Sequence, residues 1–134
     1  MPAPPPRRLR KTANRQAVLD VLGRSDHFRS AQQLHMEIRQ GHSMRIGLTT
    51  VYRILHVLVE QNIAETQRAE DGETLYRLCA TRGHRHYLLC RRCGRAVAFT
   101  VDDVELHTAR LAQQHRYADV THHIDLYGTC PQCA

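Results

Sequence analysis

Four cysteines fall in two pairs, Cys90-Arg-Arg-Cys93 and Cys130-Pro-Gln-Cys133, with 36 residues between the pairs. Two residues between thiols let both sulfurs of a turn converge on one ion. Two such turns complete a tetrahedral sulfur shell at about 2.3 Å per bond. A zinc ion on Cys90, Cys93, Cys130 and Cys133 would have no open position for a substrate, so its role is structural: it pins the last strand of the chain to the first strand of the same half. The N-terminal stretch MPAPPPRRLRK is basic and no apolar run follows it, so no secretory signal is expected. Paired CxxC without an export signal reads as metal ligation rather than disulfides, and the expected compartment is the cytoplasm.

The length of 134 residues allows one ordinary domain or two small ones and excludes a large multidomain enzyme. With 42% hydrophobic residues and no Trp, a single large core is not expected, and metal is expected to help hold the fold. The net charge of +6 asks for an anionic partner. It is unevenly placed. Residues 1–66 carry ten Lys/Arg against five Asp/Glu, whereas residues 67–134 carry nine against eight. The chain therefore divides into a basic half, free of cysteine as far as Leu78, and a nearly neutral half rich in metal ligands. No apolar run approaches the roughly 18 residues of a membrane span.

Periodicity gives the elements. Residues 1–12 are rich in Pro and Arg and read as a flexible basic arm. Ala17, Val18, Val21 and Leu22 give helical spacing over Ala13–Arg24. Ser30 is a candidate N-cap for a second helix to Gln40, with Ala31, Leu34 and Ile38 on one side and Gly41 as its stop. Thr49 or Thr50 starts a third helix to Gln61, whose Val51, Ile54, Leu55, Leu58 and Val59 share one arc. Thr49, Arg53, His56 and Glu60 face the other way, with Tyr52 on the flank. Asp71-Gly72 between Ile63–Ala69 and Thr74–Cys79 signals a hairpin. Three helices and a hairpin are the winged helix-turn-helix order, here spanning residues 13–80. A hinge follows at 81–86, with Gly83 in it, then a small α/β unit over 87–134. In that unit Tyr87–Cys90, Arg95–Val101 and Val120–Gly128 read as strands. Asp102 or Asp103 caps a helix to His115, with Val104, Leu111 and Ala112 as core candidates. The fold class is thus α+β.

The outer face of the third helix suits a DNA major groove. Arg53 can donate two hydrogen bonds to guanine, and Tyr52 or the methyls of Thr49 and Thr50 can pack on thymine. Arg10, Lys11 and Arg15 would lie near phosphate or in the minor groove. Two readings from other classes compete with this one. His35-Met36-Glu37 matches half of a zinc-deaminase signature. It lies on a helix of the basic half, more than 50 residues before the first CxxC, and leaves both cysteine pairs unexplained. A purely structural zinc ribbon leaves the winged-helix half unexplained.

The chain resembles the Fur family of metal-responsive repressors, and within it the actinobacterial zinc uptake regulators. The resemblance is carried by Phe28-Arg29-Ser30-Ala31-Gln32-Gln33-Leu34-His35, Gly47-Leu48-Thr49-Thr50-Val51-Tyr52-Arg53 and Tyr76-Arg77-Leu78-Cys79. It continues through His84-x-His86-x3-Cys90-x2-Cys93-Gly94 and Leu126-Tyr127-Gly128-Thr129-Cys130-x2-Cys133. It implies a homodimer that joins through the C-terminal domain and binds a roughly palindromic double-stranded operator. It implies a regulatory metal on His84, His86, Glu105 and His122, beside the structural zinc. Such a shell takes zinc but also iron, nickel or manganese, so a Fur-type regulator of another metal or of peroxide is the alternative. The resemblance also implies a second regulatory site, for which Glu65 and Cys79 are in place. Its two remaining positions hold Arg85 and Tyr87 instead of His, so that site reads as degraded. Arg85 pairing with Glu65 is one expected substitute for the missing cation. No enzymatic activity is expected.

Overall fold

The computed structural model describes Ala3 and residues 6–41, 45–79 and 86–134. The elements run α1 (Arg7–Gly23), β1 (Arg29–Ser30), α2 (Ala31–Gly41), α3 (Leu48–Glu60), β2 (Ala64–Arg68) and β3 (Thr74–Leu78). After these come β4 (His86–Cys90), β5 (Ala96–Phe99), α4 (Asp102–Gln114) and β6 (Asp125–Gly128). The chain divides into two compact units, Met1–Arg82 and Gly83–Ala134.

In the first unit, α1, α2 and α3 enclose a core of Val18, Val21, Leu22, Leu34, Ile38, Val51, Leu55 and Leu58, all fully buried. Ile54 and Val59 pack on its edge. A three-stranded antiparallel sheet, ordered β1-β3-β2, completes the unit and makes the wing. Gly72 takes φ 92° in the wing turn, a region that only glycine enters freely, and Asp71 accepts from the Glu73 N–H at 2.9 Å. Ser30 starts α2 by reciprocal capping. Its hydroxyl accepts from the Gln33 N–H at 3.1 Å, while the Gln33 side chain accepts from the Ser30 N–H at 2.8 Å. Ser30 is also the last residue of β1, so the short strand feeds directly into the helix.

Several expectations need correction. Residues 7–12 are not a flexible arm, because α1 begins at Arg7. The block of prolines ends at Pro6, and Arg-Arg-Leu-Arg-Lys that follows has good helix propensity. The Arg10 N–H closes the first turn on the Pro6 carbonyl at 3.0 Å. The third helix starts one residue before Thr49, with Gly47 as an extended N-cap, so both threonines lie in its first turn. His86 is the first residue of β4 rather than part of a hinge, and residues 81–85 lie outside the described residues. The last strand is confined to Asp125–Gly128, because only this stretch pairs with β4.

The second unit is a mixed three-stranded sheet, β5-β4-β6, with β6 parallel to β4. Its core is small: His86, Tyr87, Leu89 and Cys90 of β4 are buried. The expected core positions on α4 are not. Val104 and Leu111 are 39% and 48% exposed, Ala112 is half-buried, and α4 has no buried residue. The helical period is legible, but among the described residues none buries this face. Among the described residues, no helix is long and apolar enough to cross a membrane.

Candidate metal centres and nucleic-acid interface

The first centre grows from two tight turns. Cys90 ends β4, and Gly94 at φ 79° lets the chain fold back so that its N–H donates to the Cys90 carbonyl at 3.1 Å. The second turn follows β6, and there the Cys133 N–H donates to the Cys130 carbonyl at 3.0 Å. The parallel register, Cys90 opposite Gly128, brings the two turns together. The sulfurs of Cys90, Cys93, Cys130 and Cys133 all lie within 4.8 Å of one another. Cys93 Sγ and Cys130 Sγ are 3.7 Å apart. Tetrahedral geometry with zinc–sulfur bonds of about 2.3 Å needs sulfurs about 3.8 Å apart. A disulfide needs about 2.05 Å, and all five cysteines are free.

The charge state of the four thiols fits a cation site. Backbone N–H groups of Cys93 and Cys130 pull the Cys90 thiol down to about 5. Contacts with the Cys130 and Cys93 sulfurs push Cys133 up to about 12. The Arg95 N–H lowers Cys93, but burial and the neighbouring sulfurs outweigh it, so Cys93 lies above its ordinary value. The protein alone thus accommodates some thiolates and not all four, whereas a divalent ion deprotonates coordinating thiols outright. Arg91 and Arg92 of the first turn reach across to the second. Arg92 donates to the Cys133 carbonyl at 3.0 Å, and Arg91 to Thr129 Oγ1 at 3.4 Å.

The second centre joins three elements of the same unit. His86 opens β4 and is only 4% exposed, Glu105 lies in the first turn of α4, and His122 precedes β6. Glu105 Oε1 lies 3.3 Å from His86 Nε2 and 3.9 Å from His122 Nε2. One donor atom from each of the three lies within 4.8 Å of the others. The two imidazole rings stand 5.3 Å apart, and Phe99 covers His86 at 5.7 Å. Two nitrogens and a carboxylate that converge in this way could hold a divalent first-row metal. His84, the fourth expected ligand, lies outside the described residues.

Glu65 and Cys79, expected at a second regulatory site, both lie in the first unit. Glu65 accepts from Arg77 Nε at 2.6 Å. Arg85, the expected partner of Glu65, lies outside the described residues. Cys79 is exposed, and its thiol is raised above the ordinary value, by desolvation first and then by the Glu65 carboxylate.

The cationic face lies on α1 and α3. Arg7, Lys11 and Arg15 recur every four residues on one side of α1. With Asn14, they line a groove whose other wall is Thr50, Arg53, Ile54 and Val57. Lys11 and Arg53 are exposed, and Arg15 is half-buried and donates to Gln61 at 2.8 Å. Thr49 is exposed, and Tyr52 is 43% exposed. Arg10 is exposed on α1 but does not line the groove. In the sequence Arg7 reads as part of a flexible arm, and Asn14 carries no signal of its own. The spacing of Arg7, Lys11 and Arg15 is the signal that could have found the helical ridge. Two arginines, Arg29 and Arg77, are buried, which no local sequence pattern signals. Arg29 pairs with Glu37 and donates to the Val21 carbonyl at 2.7 Å, and so caps the end of α1. Arg77 lies 4.5 Å over the Phe28 ring.

Residues 7–127 match the profile of the ferric uptake regulator family. The zinc uptake regulation protein of Mycobacterium tuberculosis is 40% identical over 125 residues, covering 93% of this chain and 95% of that protein. The crystal structure of FurB from M. tuberculosis, a zinc uptake regulator, covers 94% of this chain and 96% of its own, with a TM-score of 0.53 at 40% identity. A zinc uptake regulator complexed with zinc and DNA is similar at 27% identity, with a TM-score of 0.67 over 90% of this chain and 80% of that one.

Proposed function

The chain belongs to the ferric uptake regulator family, and from this premise we propose that it is a zinc-responsive transcriptional repressor. In this reading the first unit, residues 13–80 with the helical extension from Arg7, binds DNA. The second, residues 87–134, forms the homodimer. Residues 81–86 join them. The observation that carries the reading is the convergence of His86, Glu105 and His122 on one point. His84 would be the fourth ligand.

Zinc on Cys90, Cys93, Cys130 and Cys133 would fix the ends of β4 and β6 and take no part in sensing. Zinc at the second centre would supply a cation that draws Glu105 and both imidazoles together. This would tie α4 to the start of β4, the strand that follows the join between the units. Metal acts on DNA binding only through its preference for the binding-competent state. A change from 1% to 99% competent needs roughly a 10⁴-fold preference. By linkage, DNA tightens metal binding by the same factor.

The DNA face would be α3, with Arg53, Tyr52, Thr49 and Thr50 toward base edges and Arg10, Lys11 and Arg15 toward the backbone. A two-fold dimer presents two such helices, so the operator is roughly palindromic. A regulator of this kind works in the cytoplasm and needs no catalytic residues. Its donor set also suits iron, nickel or manganese, which keeps a Fur-type regulator of another metal as the alternative. The test is operator binding against free zinc, iron, nickel and manganese, with metal content measured on the same protein. Zinc is expected to give tight, saturable binding at the lowest free-metal concentration. Operator binding that ignores zinc and follows iron would overturn the zinc reading.

A further inference from the structure

The resemblance to zinc uptake regulators implies a second regulatory ion held by the end of the wing and the residues that follow it. Glu65 and Cys79 are the two donors this chain has in place for it. The surroundings of those donors do not fit the ion. Glu65 and Arg77 are direct partners in the β2–β3 ladder, so the register itself sets the arginine against the carboxylate. Their side chains are 17% and 11% exposed, and the Nε–Oε1 separation is 2.6 Å.

Arg77 is held on two further sides. Its guanidinium lies over the Phe28 ring, and Nη1 donates to the Asp26 carbonyl at 3.4 Å. It therefore cannot swing away from Glu65 without giving up both contacts with the turn between α1 and β1. A metal on Glu65 would place a second positive charge beside a shielded guanidinium, where repulsion is poorly screened. The two other positions add no compensation. Arg85 has no lone pair to give a metal. Tyr87 is 6% exposed within β4, and a phenol is a weak ligand unless ionised.

We propose that this chain senses zinc through a single regulatory site per protomer, and that Glu65, held by Arg77, serves the wing and the α1–β1 turn rather than a second ion. The proposal rests on the assignment of His86, Glu105 and His122 as the sensing site. It makes Cys79 a bystander thiol rather than a ligand.

The test is zinc counting on the full-length chain, saturated with zinc and freed of loosely bound metal, with the zinc midpoint for operator binding read in parallel. Two ions per protomer are expected, one for each cluster. Cys79→Ser should keep both ions and leave the midpoint unchanged. With cobalt in place of zinc, Cys79→Ser should also keep the full sulfur-to-metal charge-transfer band. Glu65→Gln, which keeps a hydrogen-bond acceptor for Arg77, should hold the same count. A third ion that disappears in Cys79→Ser, or a Cys79→Ser midpoint shifted tenfold, would overturn the proposal. The underlying assignment fails on a different result, a His122→Ala protein that still holds two ions and still answers to zinc.

Discussion

Leu88 and Leu126 stand side by side across the parallel pair of β4 and β6, each nearly half exposed. Val97 continues the row on β5, opposite Leu88 and half exposed itself. Register partners share a face, so the three side chains form one apolar stripe across the sheet. A small unit with no buried residue on its helix has reason to cover such a stripe with a second copy. Leu88→Glu with Leu126→Glu should convert the proposed dimer to monomer. Each leucine is already more than half covered, so about 0.7–1.3 kcal/mol of burial remains for it to contribute, and a two-fold interface counts each twice. Sedimentation across a concentration series is the measurement. A double variant that remains dimeric, with an unchanged circular dichroism spectrum, would place the dimer contact elsewhere.

Arg53 and Arg7 should separate base reading from charge. Both line the groove between α1 and α3, but only Arg53 lies on the helix expected in the major groove. Arg53→Ala should cost about 1–3 kcal/mol on operator DNA and relax sequence preference. Arg7→Ala should weaken operator and unrelated DNA alike and reduce the salt slope by about one. Titrations on both DNAs at several salt concentrations distinguish the two. Equal losses on operator and random DNA for Arg53→Ala would remove it from base readout.

What the sequence makes legible follows from where each signal is local. The three-helix core is readable because Val18 and Leu22, Leu34 and Ile38, and Val51 and Leu55 each recur at helical spacing within one helix, and they are buried by the same chain. The four-cysteine centre is readable because two residues between thiols already imply a shared ion. Other features depend on partners distant in sequence. The convergence of His86, Glu105 and His122 needs the parallel pairing of β4 with β6, which no local pattern encodes. Val104 and Leu111 carry a valid apolar signal that the single chain leaves exposed. Arg77 looks like a surface charge until the β2–β3 register sets it against Glu65.

Breaking the first centre should unfold one unit and spare the other. Cys90, Cys93, Cys130 and Cys133 join the ends of β4 and β6, while the core of the first unit contains none of them. Cys90→Ser should lose zinc and leave Gly83–Ala134 open to protease, while the helices of the first unit survive. Limited proteolysis followed by mass analysis reads this directly. A Cys90→Ser protein with full zinc content and an intact second unit would show that the centre is not structural.

Zinc binding at the four-cysteine centre should release protons, and the count is set by the thiols that are not ionised beforehand. Near pH 7 the Cys90 thiol, lowered to about 5, is already a thiolate. Cys133, pushed up to about 12, and Cys93, raised above its ordinary 9.0, still hold their protons. A closed sulfur shell needs all four as thiolates, so at least these two protons must leave when zinc enters. Protons and zinc then compete for the same sulfurs, and falling pH weakens zinc binding while rising pH strengthens it. The apparent affinity should change by about two log units or more per pH unit around neutrality, and flatten only above the raised thiol values. Competition against a chelator of known pH dependence gives the slope. Calorimetry in buffers of different ionisation enthalpy gives the proton count. His122→Ala should leave this steep slope in place, because it removes the other centre and none of the sulfurs. A flat affinity profile across neutral pH would mean that all four thiols are ionised before the metal arrives.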